Sequence, residues 1–159
     1  MGIGRIARRL VELGITLPDV AAPVASYVPA VRTGAYVYTS GQLPFVAGAL
    51  PVTGKVGDGA GLVAPDVATG LARQCALNAL AAVRSLGIDL DDVVRVVKVV
   101  GFVASDSGFI GQPAVINGAS NVLGEIFGDA GVHARSAVGV AVLPLDSPVE
   151  VEIVVELKG

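Results

Sequence analysis

Arg135 opens a run, 135-RSAVGVAVLP-144, that is otherwise almost entirely Ala, Val and Gly. Shortly after it, 149-VEVEIVVEL-157 sets Glu150 and Glu152 on one face of a strand whose other face is Val149, Val151, Ile153 and Val155. Three charges in so apolar a context ask for a purpose. Arginine is the side chain that best reads a planar carboxylate, through two parallel hydrogen bonds from a permanently charged fork. A nearby glutamate orients or deprotonates a water, and a carbon that is already electrophilic needs no metal for that water to attack it. The plainer alternative is that Arg135 is a structural ion-pair partner and that the two glutamates are solvated strand residues.

The segment 143-LPLDSP-148 between the two runs predicts a turn, and hence a hairpin. A regular hairpin puts Glu150 beside Val142 and Arg135 beside Leu157. Arg135 and Glu150 are then about seven residues apart along the strands, roughly 23 Å at about 3.3 Å per residue. On this reading they do not meet within one chain, and a site that uses both lies between two subunits.

The elements that must position these residues follow from composition and periodicity. A chain of 159 residues is expected to form one domain with one core. It is 53% hydrophobic but only 16% charged, more apolar surface than one monomer of this size hides, and burial in an oligomer is the natural outlet. No apolar run reaches the length of a membrane helix without a charge in it, so no membrane is expected as partner. The lone Cys75 excludes an internal disulfide and fits a reducing cytoplasm, the expected compartment. With a single histidine, His133, and a single cysteine the chain lacks the donors of a soft-metal site, and neither metal nor cofactor is expected. A net charge of -3 without a basic run gives little pull toward phosphate backbones, so nucleic acid is not an expected partner.

Along the chain, 3-IGRIARRLVELG-14 has Ile3, Ile6, Ala7, Leu10 and Leu13 at helical spacing and ends at Gly14. Next, 27-YVPAVRTGAYVYTSGQLP-44 reads as two strands around a tight turn at Thr33-Gly34, with Pro29 pushing the first toward a sheet edge. Between Phe45 and Gly61 Gly and Pro are dense, and 51-PVTGKVG-57 reads as a small hairpin or a loop. A helix is predicted over 65–87, opened by Pro65 and closed by Gly87, with Leu71, Cys75, Ala79, Val83 and Leu86 as its buried stripe. The run 93-VVRVVKVVGFVA-104 hardly alternates, as expected of a strand covered on both faces. A second main helix is predicted from Pro113 to Phe127, ending at Gly128. The order is an α+β plan: a mixed sheet with two main helices packed on one face and an extra N-terminal helix. Residues 1–22 are read as that helix and an extension, and 23–159 as the single domain.

Three ordered segments, 39-TSGQLP-44, 72-ARQCALNAL-80 and 135-RSAVGVAVLP-144 followed by 149-VEVEIVVEL-157, resemble the RidA/YjgF family of reactive-intermediate deaminases from about Pro23 onward. The resemblance implies a chorismate-mutase-like fold and a homotrimer with a cleft at each subunit interface. Members of that family with deaminase activity hydrolyse small 2-imino acids to 2-oxo acids and ammonia without a cofactor. By this resemblance Arg135 grips the substrate carboxylate and Glu150 serves the hydrolytic water, as the catalytic pair. Tyr27 and Ser40 line the cleft, and the backbone at Ala137 holds the imine nitrogen or the tetrahedral centre. Many family members carry a cysteine where this chain has Ala137. The family asparagine is matched by either Asn117 or Asn121. These departures keep open a module that binds a small carboxylate without hydrolysing it. Ribonuclease activity, a third reading, is disfavoured by the acidic charge and by the want of a histidine pair.

Overall fold

The computed structural model describes residues 2–20 and 25–159, so the boundary expected between residues 22 and 23 lies outside the described residues. In chain order the elements are α1 (Arg5–Glu12), β1 (Ala30–Thr33), β2 (Tyr36–Thr39), α2 (Pro65–Arg84), β3 (Val93–Ala104), α3 (Gln112–Phe127), β4 (Ala134–Val140) and β5 (Val149–Leu157). The strands form one mixed sheet in the order β1-β2-β5-β3-β4. The fold is α+β, with α2 and α3 side by side on a single face of the sheet.

Both main helices begin at or beside their prolines, and α3 ends at Gly128, whereas α2 ends at Arg84, short of Gly87. Proline occupies the first turn of both α2 and α3, where its missing N–H has no intrahelical partner to lose. Gly87 and Gly128, with φ of +77° and +63°, turn the chain away after each helix. Leu71, Cys75, Ala79 and Val83 of α2 are buried as the stripe predicts, but Leu86 lies beyond the last turn and is exposed. Gly118 of α3 lets the two helices touch: a Cβ there would overlap the Thr69 carbonyl oxygen of α2. The small α1 rests on the same core through Ile6 and Leu10. The Ile6 N–H at its N-terminus donates to the Asp91 carboxylate (3.1 Å to Oδ1), a favourable place for an anion.

Pro29 stands just before edge strand β1, and the β1–β2 turn has Gly34 at φ +59°. The segment 51–57 is a loop rather than a hairpin, tied in where Val56 bridges Val63 and Ser105.

The final hairpin is not formed. β4 pairs only with β3, in parallel, while β5 inserts between β2 and β3, antiparallel to both. The segment 141–148 therefore steps across β3 instead of folding back on itself, and Leu145 and Asp146 both take φ of +57° to make the corner. Arg135 lies beside Val99, not Leu157, and Glu150 beside Phe102, not Val142. The separation shrinks accordingly: three residues along β3 and two strand spacings, roughly 14 Å between backbones.

Register also fixes the faces. Val99, Gly101 and Val103 of β3 align with Ile153, Val151 and Val149 of β5 and with Arg135, Ala137 and Gly139 of β4, and this is the helix-covered face. Phe102, Glu150 and Val138 share the other. The expectation that β3 is covered on both faces fails for the single chain: Val96, Val99 and Val103 are fully buried, whereas Lys98, Val100 and Phe102 are half-exposed. Around them the open face shows Val31, Tyr36, Tyr38 and Val138, each exposed by 40% or more, an apolar surface that water covers poorly. Among the described residues no helix is long and apolar enough to cross a membrane.

Candidate functional site

Arg135 is the second residue of edge strand β4 and its side chain rises on the helix face, where α3 receives it. Nη1 donates to Asn117 Oδ1 (2.8 Å) and Ser120 Oγ (3.2 Å), and Nη2 donates to the Pro113 carbonyl (3.3 Å). All three acceptors are neutral. Among the described residues no carboxylate lies within 4.0 Å of the guanidinium, so its charge is not compensated by the chain that holds it. Nε–H and one Nη2–H have no partner among the described residues, and a guanidinium meets a planar carboxylate through two such donors at once.

The two asparagines stand differently toward this cluster. Asn117 holds Arg135, whereas Asn121 is an exposed residue of α3 whose side chain has no hydrogen-bond partner among the described residues. Ser120 was not singled out from the sequence, nor was His133, whose Nε2 lies 2.9 Å from Ser120 Oγ. The signal was present: positions 113, 117 and 120 repeat at one and two helical turns and so share a face of α3. That face becomes informative only once β4 is known to run beside β3 under α3.

Ala137, two residues along, turns its methyl group to the core. Its backbone does the opposite. Val140 C=O points toward β3, accepting from Ser105 N–H (3.0 Å), so alternate residues 139, 137 and 135 aim N–H and C=O away from β3 at the free edge. At position 137 the side chain therefore packs on the core, and the backbone that carries it is what the free edge presents.

Glu150 belongs to the other half. It is half-buried on the open face, directly over the TSGQ segment, which β5 anchors through paired backbone bonds between Gln42 and Val151 (2.8 and 3.0 Å) and through Ile153 N–H to Thr39 Oγ1 (3.0 Å). Gly41 lies directly beneath it: a Cβ there would overlap Glu150 Oε1 and stand 2.8 Å from its Cδ. Burial raises the Glu150 carboxyl above its usual range, and Glu152 on the same face adds repulsion that pushes the same way. Ser40 Oγ donates to Val28 C=O (2.6 Å) and Ser40 N–H to Pro29 C=O (2.8 Å), which ties the chain bearing Tyr27 to the TSGQ segment. Tyr27 itself is 57% exposed.

The residues singled out from the sequence thus fall into two groups, Arg135 with Asn117 and the Ala137 backbone, and Glu150 with Ser40 and Tyr27. Arg135 and Glu150 lie on opposite faces of the sheet. The conclusion that they do not meet within one chain stands, for a reason other than the hairpin register that first suggested it.

Comparison with known proteins agrees with this architecture. Residues 7–157 match the family model described as "YjgF/chorismate_mutase-like, putative endoribonuclease". The chain is 44% identical over 159 residues to Protein TCP17 of Trypanosoma cruzi, covering 98% of this chain and 96% of that one. It is 33% identical over 145 residues to a 2-iminobutanoate/2-iminopropanoate deaminase of Dermatophagoides farinae, covering 91% and 95%. Among solved structures it is similar to the protein Atu1372 of Agrobacterium tumefaciens, with a TM-score of 0.86 at 44% identity, covering 97% of this chain and 93% of that one. With its five-stranded mixed sheet, helices on one face and family motifs in order, the chain belongs to the YjgF/chorismate-mutase-like family.

Proposed function

We propose that the protein is a cofactor-independent deaminase that hydrolyses a small 2-imino acid to the 2-oxo acid and ammonia. The observation that carries this reading is the Arg135 guanidinium, anchored only by neutral acceptors and left with a free pair of donors. A carboxylate beside the reacting carbon satisfies both the charge and the fork.

In the proposed reaction the substrate carboxylate pairs with Arg135, which fixes C2. Glu150, whose raised pKa suits it to exchange a proton nearer neutrality, takes a proton from water as the oxygen bonds to C2 and passes it to the imine nitrogen. The tetrahedral centre then collapses: Glu150 moves the hydroxyl proton to the nitrogen, the C–N bond breaks, the carbonyl forms, and ammonia leaves with Glu150 ionised again. Backbone groups at the free edge near Ala137 support the developing centre. No oxidant, reductant or metal enters this balance. Positioning of this kind supplies several kcal/mol of barrier lowering, because water and substrate are held rather than meeting by diffusion.

The opposite-face placement of Arg135 and Glu150 supports an assembly in which one chain's Arg135 faces its neighbour's Glu150, and the exposed apolar sheet face gives the chains a reason to associate. We infer a homotrimer with three interface clefts. The endoribonuclease wording of the family description suits this chain less well. Its net charge is -3, and both nitrogens of its single histidine are engaged within the fold.

The test is ammonia release from an enamine generated in situ, with the wild type against Arg135→Ala. A fall of about a hundredfold in kcat/KM is expected for loss of a bidentate charged contact. Equal rates in the two proteins would remove the proposal.

A further inference from the structure

Of the three acceptors that hold Arg135, the Asn117 amide oxygen and the Pro113 carbonyl can only accept, but the Ser120 hydroxyl can also donate. What Ser120 does depends on its other neighbour. His133 Nδ1 lies 2.6 Å from the Gly131 carbonyl, which has no proton to give, so Nδ1 carries the hydrogen. In the neutral ring Nε2 is then an acceptor, and Ser120 Oγ stands 2.9 Å from it. The hydroxyl proton is thereby committed to His133, and the lone pairs of Ser120 are turned to Arg135 Nη1 at 3.2 Å. Every hydrogen bond in the chain runs one way: Arg135 to Ser120, Ser120 to His133, His133 to the buried backbone of Gly131.

This arrangement does more than fill space. A serine without His133 is free to rotate its proton toward Arg135, where it would oppose the guanidinium instead of accepting from it. Gly131, the root of the chain, is held against α3 so closely that a Cβ there would overlap the Leu123 carbonyl oxygen, and the imidazole therefore starts from fixed backbone. We propose that Ser120 and His133 are positioning residues that orient Arg135 so that its Nε–H and Nη2–H edge is presented to the substrate carboxylate. The inference rests on the reading of Arg135 as the carboxylate clamp. It adds two residues whose part is played wholly through that side chain.

The experiment measures binding of 2-oxobutanoate, and of its neutral carboxamide, to the full chain by calorimetry, alongside KM and kcat. Ser120→Ala and His133→Phe are each expected to weaken 2-oxobutanoate about tenfold, the scale of one hydrogen bond to a charged group. The loss is expected in KM more than in kcat, with carboxamide binding unmoved. His133→Gln, which keeps an acceptor for the serine proton, is expected to restore most of the affinity. In an Arg135→Ala background Ser120→Ala should cost nothing further, because its effect passes through the arginine.

The outcomes separate the two levels of the argument. If Arg135→Ala binds 2-oxobutanoate as tightly as wild type, the clamp itself is wrong. If Arg135→Ala binds weakly while Ser120→Ala and His133→Phe bind normally, the clamp survives and the positioning role is overturned. Equal losses for carboxylate and carboxamide, or a full additive loss on top of Arg135→Ala, would mark the pair as merely structural and overturn it as well. Should His133→Phe fail to fold, Ser120→Ala and His133→Gln carry the same decision.

Discussion

Arg135 and Glu150 are held by opposite means on opposite faces of one sheet. The cation is fixed by three neutral acceptors on α3, which set its direction without cancelling its charge. The anion has no cation within 4.0 Å among the described residues, a second carboxylate nearby and partial burial, all of which disfavour its charged form. One environment preserves charge and spends hydrogen bonds on orientation, as suits a group that binds. The other erodes charge, as suits a group that must pass a proton back and forth. On the proposed function the difference separates a holding half from a reacting half, each of which can be broken alone.

The largest effect is expected from the reacting half. Glu150→Gln keeps size and polarity but cannot take a proton, and loss of a general base lowers turnover by about a hundredfold or more. Because the carboxylate grip lies elsewhere, KM should hardly change, the reverse of what is expected for Ser120→Ala. In the wild type the rate should fall as pH drops through a midpoint above about 4.3, the ordinary glutamate value, since burial and Glu152 both raise the Glu150 pKa. Steady-state kinetics across pH read both outcomes. A Glu150→Gln enzyme with wild-type turnover would leave the contrast between the two environments without a chemical meaning.

A subtler break leaves Glu150 in place and moves it. Gly41→Ala puts a methyl group where Glu150 Oε1 now lies, but the obstacle is the far end of a flexible side chain, which can swing aside. Stability should therefore change little while turnover falls about tenfold, because a displaced base loses its alignment with the water. Thermal unfolding and kcat measured on the same preparation check this. Matching losses in both would show that Gly41 serves the fold and not the carboxylate.

How much of this was legible in the sequence differs between the same two regions. The reacting half was readable because β5 alternates: Val149, Val151, Ile153 and Val155 point one way, Glu150 and Glu152 the other, and no tertiary knowledge is needed to see it. The main helices were readable from proline starts and glycine ends. The holding half was not, because its partners come from α3 and from the backbone before β4, and both depend on where β4 lies. The segment 143-LPLDSP-148 has the composition of a hairpin turn, yet β3, with backbone donors and acceptors along both edges, pairs with β4 and β5 at once and separates them. Nothing local to the turn records that competition. The unalternating pattern of β3 likewise implies burial on both sides, when one chain covers only one of them.

The smallest effect concerns stability, and its sign follows from the same erosion of charge. A carboxyl whose folded pKa lies above its unfolded value binds a proton more tightly when folded. Its favourable contribution is present below the unfolded pKa and is lost as pH rises through the folded one. At neutral pH ionised Glu150 is therefore a burden on the fold. Glu150→Gln, neutral at every pH, should melt above the wild type near neutrality, and the gap should close as the medium is acidified below the glutamate range. Arg135→Ala offers the contrast. It removes a cation whose hydrogen bonds go only to neutral groups, so its effect on the melting temperature should show no such closing gap between neutral and mildly acidic pH. Melting curves of the three proteins over that range decide the matter: if Glu150→Gln melts below the wild type at neutral pH, the charge on Glu150 is supported by its surroundings and the division into a holding half and a reacting half is wrong.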